Sequence, residues 1–371
     1  MSLKKYKFNE LYTMSSGLTS KLEQAGYGSD FISFSTIFNN PILPKVLLDK
    51  MNTTLAEQET YSVKKGDILI TRTSETLDEL AMSSVAVKDY ENVTFSGFAK
   101  RLRPTKYNVD NHITYDKYMA FYLRSAYFRK LINNNAIMTL RASFNEQIFS
   151  YLYLLLPDYD IQIKIGDMLY SIYEQIERNN AMVQKLQVLG NTIYSKIMTS
   201  FKTPKLLGDL VEMYQPETIT SDKFVVNGDY PVYGAGGIIG FYNKYNHEEP
   251  QLMVSCRGIC GKAELSLPKS FIIGNQMVIK PKNKKIKYFL YNYLLNCDLS
   301  CIETGSVQKQ ITRTNLEKLQ ILLPNEDVIS EYYNIFENVY TQKTKIILET
   351  ERLINLKEKL LPLLINGQLN I

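Results

Sequence analysis

The segment from Leu154 to Thr199 returns at Ile321 to Ile365, and few folds accommodate two such segments in one chain. In each copy a short apolar run ending in proline, LLLP at Leu154–Pro157 and LLP at Leu322–Pro324, precedes a long stretch without proline. Pro157 and Pro324 lie 167 residues apart, and at the same offset Leu186 matches Leu353, Leu189 matches Leu356, Ile193 matches Leu360 and Gln175 matches Gln342. The first copy carries Ile165, Met168, Ile172, Met182, Leu186, Leu189 and Ile193, a three-four spacing that places apolar side chains along one stripe of a helix. Asp160 and its match Asp327 are the expected N-caps, each accepting a backbone N–H where its helix begins. A stripe of this kind needs a partner, and the second copy supplies it.

The spacing predicts helices near Ile161 to Thr199 and Val328 to Leu361, with Pro362 ending or kinking the second. The first would be about 58 Å long at 1.5 Å per residue, a length that suits a coiled-coil rod. Ile165, Ile172, Leu186, Leu189 and Ile193 are expected to pair antiparallel with Val339, Ile346, Leu353, Leu356 and Leu360. Gln175, Asn179, Gln342 and Glu349 interrupt the stripe; polar residues buried in such a seam fix its register, unless the helices splay there. The intervals before each helix are long enough to form cores of their own. The expected architecture is an α/β (α+β) two-fold repeat: globular domains at 1–153 and 201–320, the latter after a break at Pro204, and helices at 154–200 and 321–371. Two core helices within one large domain is the alternative.

Several function classes are excluded or weakened. No apolar run approaches a membrane span, and MSLKKYKFNE is not followed by a signal core, so no membrane is expected and a cytoplasmic location is. The net charge of +5 permits a polyanionic partner without requiring one. The four cysteines form two C-x-x-x-C pairs, Cys256 with Cys260 and Cys297 with Cys301; structural zinc pairs are usually tighter, so these read as thiols rather than a metal site. Two histidines, His112 and His247, cannot furnish a triad or metal cluster in both halves. The sequence has no (D/E)-x-K tripeptide of a nuclease, no Pro-Pro of an amino-methyltransferase motif and no phosphate loop. The glycines of YPVYGAGGIIGFYNKY, at Gly234, Gly236, Gly237 and Gly240, do not fit the dinucleotide spacing and mark a turn. The chain lacks the means for catalysis.

What remains is binding chemistry. After the turn Lys65-Gly66-Asp67, Ile68 to Thr71 reads as a short buried strand delivering Arg72, Thr73 and Ser74 onto a loop. Hydroxyls and an arginine so placed suit phosphate or base-edge contacts, although a surface turn that binds nothing has the same spacing. In FSGFAKRLRPTKYN, Phe95, Phe98 and Leu102 interleave with Lys100, Arg101, Arg103 and Lys106; this suits a strand lying against a phosphate backbone, or an edge strand protected by charge. The second half repeats the order with Arg257 and Lys262 in RGICGK and Lys280 and Lys282 in MVIKPKNKKIK. RASFNEQIFSYLY is matched by SVQKQITRTNLEKLQ, with Phe144 opposite Ile311.

These segments, GDILITRTSETLDELAMSSVA (Gly66–Ala86), FSGFAKRLRP (Phe95–Pro104), YPVYGAGGIIGFYNKY (Tyr230–Tyr245), RGICGK (Arg257–Lys262), GSVQKQIT (Gly305–Thr312) and the two LLP-helix units, give the chain a plan that resembles the specificity subunit of a type I restriction-modification system. The resemblance covers essentially the whole chain, departing from the family where the first domain begins almost at Met1. It implies two target recognition domains, each reading half of a bipartite double-stranded DNA sequence. It also implies antiparallel helices that set the spacing of the halves and dock two methyltransferase subunits, with restriction subunits as a further partner. No cofactor is expected on this chain, S-adenosylmethionine belonging to the methyltransferase. The DNA-facing residues expected are Arg72, Thr73, Ser74, Lys100, Arg101, Arg103, Lys106 and Arg141 in the first half, and Tyr233, Arg257, Lys262, Lys280, Lys282, Ser306 and Lys309 in the second. A self-sufficient DNA-modifying enzyme and a coiled-coil adaptor that ignores DNA are the competing functions.

Overall fold

The computed structural model describes residues 2–74, 76, 79–135, 142–199, 202–226, 228–305 and 308–368. The chain forms two compact units, Met1–Glu177 with Thr350–Ile371, and Arg178–Glu349. Each unit is built on the same plan.

In the first unit a four-stranded antiparallel sheet runs in the order Tyr12–Ser16, Ala99–Pro104, Ile68–Thr71, Ser83–Val85. Met14, Leu102, Ile68 and Val85 stand opposite one another in register and pack on the main core with Phe8, Tyr118, Tyr122 and Phe128. Because side chains alternate across a strand, Leu69 points to the other face, where it packs with Ile32, Phe95 and Ala99. Every residue of Ile68–Thr71 is therefore buried, and a strand covered on both faces reads as a continuous apolar run rather than an alternating one. A second sheet, Lys50–Met51, Ala25–Ile32, Thr94–Phe95, covers this face.

The second unit repeats both sheets. Val211–Tyr214, Gln276–Pro281, Leu252–Ser255 and Ala263–Leu265 form the antiparallel four, with Met213, Ile279, Leu252 and Leu265 in one row. Gly237–Tyr242, Tyr230–Gly234 and Phe271–Ile272 form the three. The glycine-rich segment is thus the hairpin of Tyr230–Gly234 with Gly237–Tyr242, and Gly237 takes φ +105° in its turn, a conformation that costs glycine little. Lys4–Lys7 pairs with Tyr153–Leu156, and Lys202–Leu206 with Gln320–Pro324. Pro204, expected as a break, lies inside that two-stranded pair opposite Leu322, where a missing N–H is tolerated at an edge.

The long helices are Tyr159–Ile197 and Glu326–Ile365. In the first unit Ile165 and Leu169 share a core with Leu364 and Ile365. In the second, Tyr194 and Ile197 share one with Ile329, Phe336 and Tyr340, and Lys343 donates to Gln187 Oε1 at 2.6 Å. In each unit, then, early turns of one helix lie beside late turns of the other, an antiparallel arrangement. Ile165 and Val339 are buried, and Ile172, Leu186, Ile193, Ile346, Leu353 and Leu360 half-buried.

Other parts of the helical reading are corrected. Met168, Met182, Leu189 and Leu356 are exposed; the buried line runs instead through Leu169, Ile176, Asn179, Gly190, Tyr194 and Ile197, with Asn179 buried as expected of a polar residue in the seam and Gln175 half-buried, and a stripe counted from apolar residues alone passes over its glycine. Gln342 and Glu349 are exposed, the solvent-facing alternative for these two positions. Asp160 and Asp327 lie within the first turns, where a carboxylate favours the helix dipole. The second helix is capped by Asn325, whose Oδ1 accepts from the Val328 N–H at 3.1 Å. Of the two effects expected of Pro362, ending the helix is the one corrected, since the helix continues to Ile365. Among the described residues no helix is long and apolar enough to cross a membrane.

Candidate nucleic-acid interface

The backbone assembles a loop cluster at one end of each four-stranded sheet. In the first unit the Arg72 N–H donates to Phe98 O at 2.8 Å, Phe144 N to Arg72 O at 2.8 Å, and Gly97 N to Leu18 O at 2.8 Å. Thr73 and Ser74 pair antiparallel with Ser143 and Ala142. Arg72 is exposed, Thr73 and Ser74 half-buried, and Lys100 Nζ donates to Ser16 Oγ at 2.8 Å beside them. The structure thus brings Arg72, Thr73, Ser74 and Lys100 together. Arg141 lies outside the described residues.

The second unit builds the same cluster. The Ile311 N–H donates to Cys256 O at 3.0 Å, Cys256 N to Asn275 O at 2.9 Å, and Arg257 bridges Gln310. Arg257 is exposed. Lys309 forms an ion pair with Glu303 at 2.8 Å and Lys262 one with Glu264 at 2.7 Å, so two of the expected cations carry a carboxylate beside them. Ser306 lies outside the described residues.

Three expectations change once the side chains are placed. Arg101 is buried, its guanidinium lying 5.7 Å from the Phe95 ring and donating to the carbonyls of Thr60 and Ser62. Desolvation pulls its pKa below the ordinary arginine value. Arg103 forms a two-point bond to the fully buried Asp67, Nε to Oδ1 at 2.9 Å and a terminal nitrogen to Oδ2 at 2.6 Å, and also donates to Ser62 O. The hydrogen bond to the Asp67 carboxylate raises the pKa of Arg103. Residues 99, 101 and 103 share one face of their strand, and that face is covered by the second sheet; both guanidinium groups therefore hold the fold together. Tyr233 is also buried, its hydroxyl accepting the Leu267 N–H at 3.1 Å.

Lys106, Lys280 and Lys282 are exposed but sit at the other end of the same sheets. Strand Ala99–Pro104 leads away from the Phe98 turn to Lys106, and Lys282 donates to Asp209 O at 2.9 Å. Lys285 Nζ of that basic run meets the second long helix, donating to Ser330 Oγ at 3.2 Å, while Lys287 is half-buried and its pKa lowered by desolvation. Of the five lysines in this run, four are exposed, and Lys287 alone is partly covered. The sequence also gave no sign of Arg124, whose guanidinium donates to the carbonyls of Ser83, Ile37, Phe38 and Asn40 and whose pKa burial lowers to about 10. Cys256 is buried, and among the described residues no group of three or more His, Cys, Asp or Glu could hold a metal ion.

Known proteins share this design. The sequence family of the type I restriction modification DNA specificity domain matches at residues 3–187 and again at 202–358. A Haemophilus influenzae protein described as a type I restriction enzyme specificity subunit is 26% identical over 116 residues, a match spanning 30% of this chain and 30% of that protein's length. The crystal structure of the S subunit of a type I restriction-modification system from M. genitalium is similar in fold, with a TM-score of 0.70 and 14% identity, covering 98% of this chain and 96% of that one. With both halves of the chain matched and both built on one plan, the chain belongs to the family of type I restriction modification DNA specificity domains, of which it carries two.

Proposed function

We propose that this chain is the DNA-reading subunit of a type I restriction-modification complex, recognising a bipartite duplex target with one half read by each unit and contributing no catalytic group itself. The observation that carries the reading is the twice-built loop cluster: the same backbone hydrogen bonds present different side chains, Arg72 and Thr73 in one unit, Cys256 and Arg257 in the other. Identical frames with divergent tips are what two different half-sequences require. The exposed arginines supply attraction to the phosphate backbone, and neighbouring hydroxyl and amide groups supply base-edge contacts. Methyl transfer then belongs to modification subunits that bring S-adenosylmethionine, and the exposed Met168, Met182, Leu189 and Leu356 give the long helices apolar side chains with which to meet them. Mapping methylated adenines in DNA from cells carrying the modification subunits, with and without this chain, tests the reading. A bipartite motif that appears only with the chain is the expected result; modification that persists without it, or a motif with a single half, would overturn the proposal.

A further inference from the structure

The two recognition loops correspond bond for bond. Phe98 O accepts the Arg72 N–H at 2.8 Å, and Asn275 O accepts the Cys256 N–H at 2.9 Å. One residue later the match continues, Ala99 N to Ser96 O at 2.9 Å and Gln276 N to Ile273 O at 2.9 Å. One residue earlier each loop has a glycine where a side chain would collide: a Cβ on Gly97 would lie 2.9 Å from Leu18 O, and one on Gly274 2.7 Å from Thr218 Oγ1. Phe98 and Asn275 therefore hold the same place in the two units, each at the tip of the turn between a short strand of the three-stranded sheet and a long strand of the four-stranded one.

What they present differs in kind. Phe98 is 69% exposed, and its ring meets no other aromatic ring among the described residues. Its backbone is fixed on both sides, with the Phe98 N–H donating to Ser96 Oγ at 3.2 Å, so the phenyl is held out on a rigid turn. The half-buried Asn275 keeps its side-chain amide without a hydrogen-bond partner among the described residues. A bare ring and an unused amide at equivalent tips, each adjoining an exposed arginine or its neighbour, contribute little to the folded unit.

Resting on the reading of the chain as a DNA-recognition subunit, the geometry points to Phe98 and Asn275 as paired specificity-determining residues, Phe98 packing on the 5-methyl group of a thymine in one half-target and Asn275 bonding an adenine in the other. The major-groove edges leave little choice. A phenyl ring has no donor or acceptor for a phosphate or a polar base edge, and the thymine methyl is the apolar feature displayed in that groove; an asparagine amide matches the N6–H and N7 of adenine. Arg72 and Arg257 draw the duplex in without choosing a base.

The test uses the full chain assembled with its modification subunits and reads the methylated motif in host DNA. In Phe98→Ala one thymine position in one half relaxes while the other half stays intact; Asn275→Ala relaxes one adenine position in the opposite half; Phe98→Leu keeps the wild-type motif. For the wild-type complex, a duplex with uracil in place of that thymine binds about fourfold more weakly, as the loss of one buried methyl implies, and Phe98→Ala does not distinguish the two duplexes. The uracil duplex needs no variant, so a folding failure cannot mask the answer. Equal wild-type binding of thymine and uracil at every position of the motif, or an unaltered motif in both alanine variants, overturns the inference while leaving the recognition function standing. Absence of any motif in the wild type would instead sink the recognition function on which it rests.

Discussion

Replacing Arg103 by methionine distinguishes an arginine that holds the fold from one that holds DNA. Asp67 has no exposed surface, and its carboxylate is matched by two bonds from Arg103 and one, at 2.8 Å, from the Lys64 N–H. Methionine keeps the apolar stem and removes both charged bonds, leaving a buried anion with one backbone donor. Stranding one partner of a buried pair costs about 3–5 kcal/mol. Arg103 is itself 29% exposed, so water can reach part of the vacated space and the lower end, about 3 kcal/mol, is expected. For a unit of about 200 residues that corresponds to a melting transition lowered by about 6–12 °C. Adding Asp67→Asn removes the stranded charge while its amide oxygen still accepts from Lys64, so the double variant should recover to within about 1–2 kcal/mol of wild type. Calorimetry of the full chain gives the size of the effect, and hydrogen exchange assigns it to the first unit. A shift below about 2 °C for Arg103→Met, together with a salt dependence of DNA binding flattened by about one unit of slope, would put the guanidinium on a phosphate and refute the argument.

Arg72→Gln and Arg257→Gln should each flatten the salt dependence of duplex binding by about one unit without changing the sequence read, as titration across salt concentrations would show. In Gly166→Ala the new Cβ would lie 2.7 Å from the Tyr118 backbone nitrogen and 3.0 Å from the Tyr115 ring; overpacking of about 1–3 kcal/mol outweighs alanine's helix preference of about 1 kcal/mol, so the first unit should melt lower, not higher. Burial lowers the pKa of His247, whose Nε2 lies 2.8 Å from the Tyr214 hydroxyl. A depressed folded value means that the unfolded chain takes up the proton first, so stability is complete above the ordinary histidine range and declines as pH falls from about 6.5 toward the lower folded value. Amide protection at His247 and Ser270, which bond each other's carbonyls, taken relative to the intrinsic exchange rate at each pH, should fall over that window in the wild type and not in His247→Gln.

Much of this molecule was legible in its sequence because the duplication imposes a constraint on every element. Helices starting at Tyr159 and Glu326 keep the 167-residue offset, and Ile68–Thr71 forms the strand its composition predicts. The helix seam was less legible: an apolar stripe can be counted, but Gly190, which lets Tyr340 approach so that a Cβ would lie 3.1 Å from its hydroxyl, has no hydropathy to register. The binding surface was the least legible. Charge alone does not separate Arg72, exposed on a loop, from Arg101, folded under the second sheet, because which face of the Ala99–Pro104 strand is covered depends on residues far away in sequence. Charge has no bearing on Asn275, nor on which of the interleaved apolar residues is exposed; a second offset, 177 residues between the turns, aligns Asn275 with Phe98.

The first compact unit is closed by residues some 350 positions from its start, since Leu364 and Ile365 lie in the same core as Phe8 and Ile165. During synthesis the half that begins first is therefore the half that finishes last. The nascent chain can complete Arg178–Glu349 once those residues have emerged, whereas the first unit must wait, with its core open along Ile165 and Leu169, until Leu364 and Ile365 have followed. A premature stop or proteolytic cut near Pro362 would spare the second unit and leave the first exposed, so the integrity of the Leu364–Ile365 turn reports on whether the unit built around Phe8 has folded.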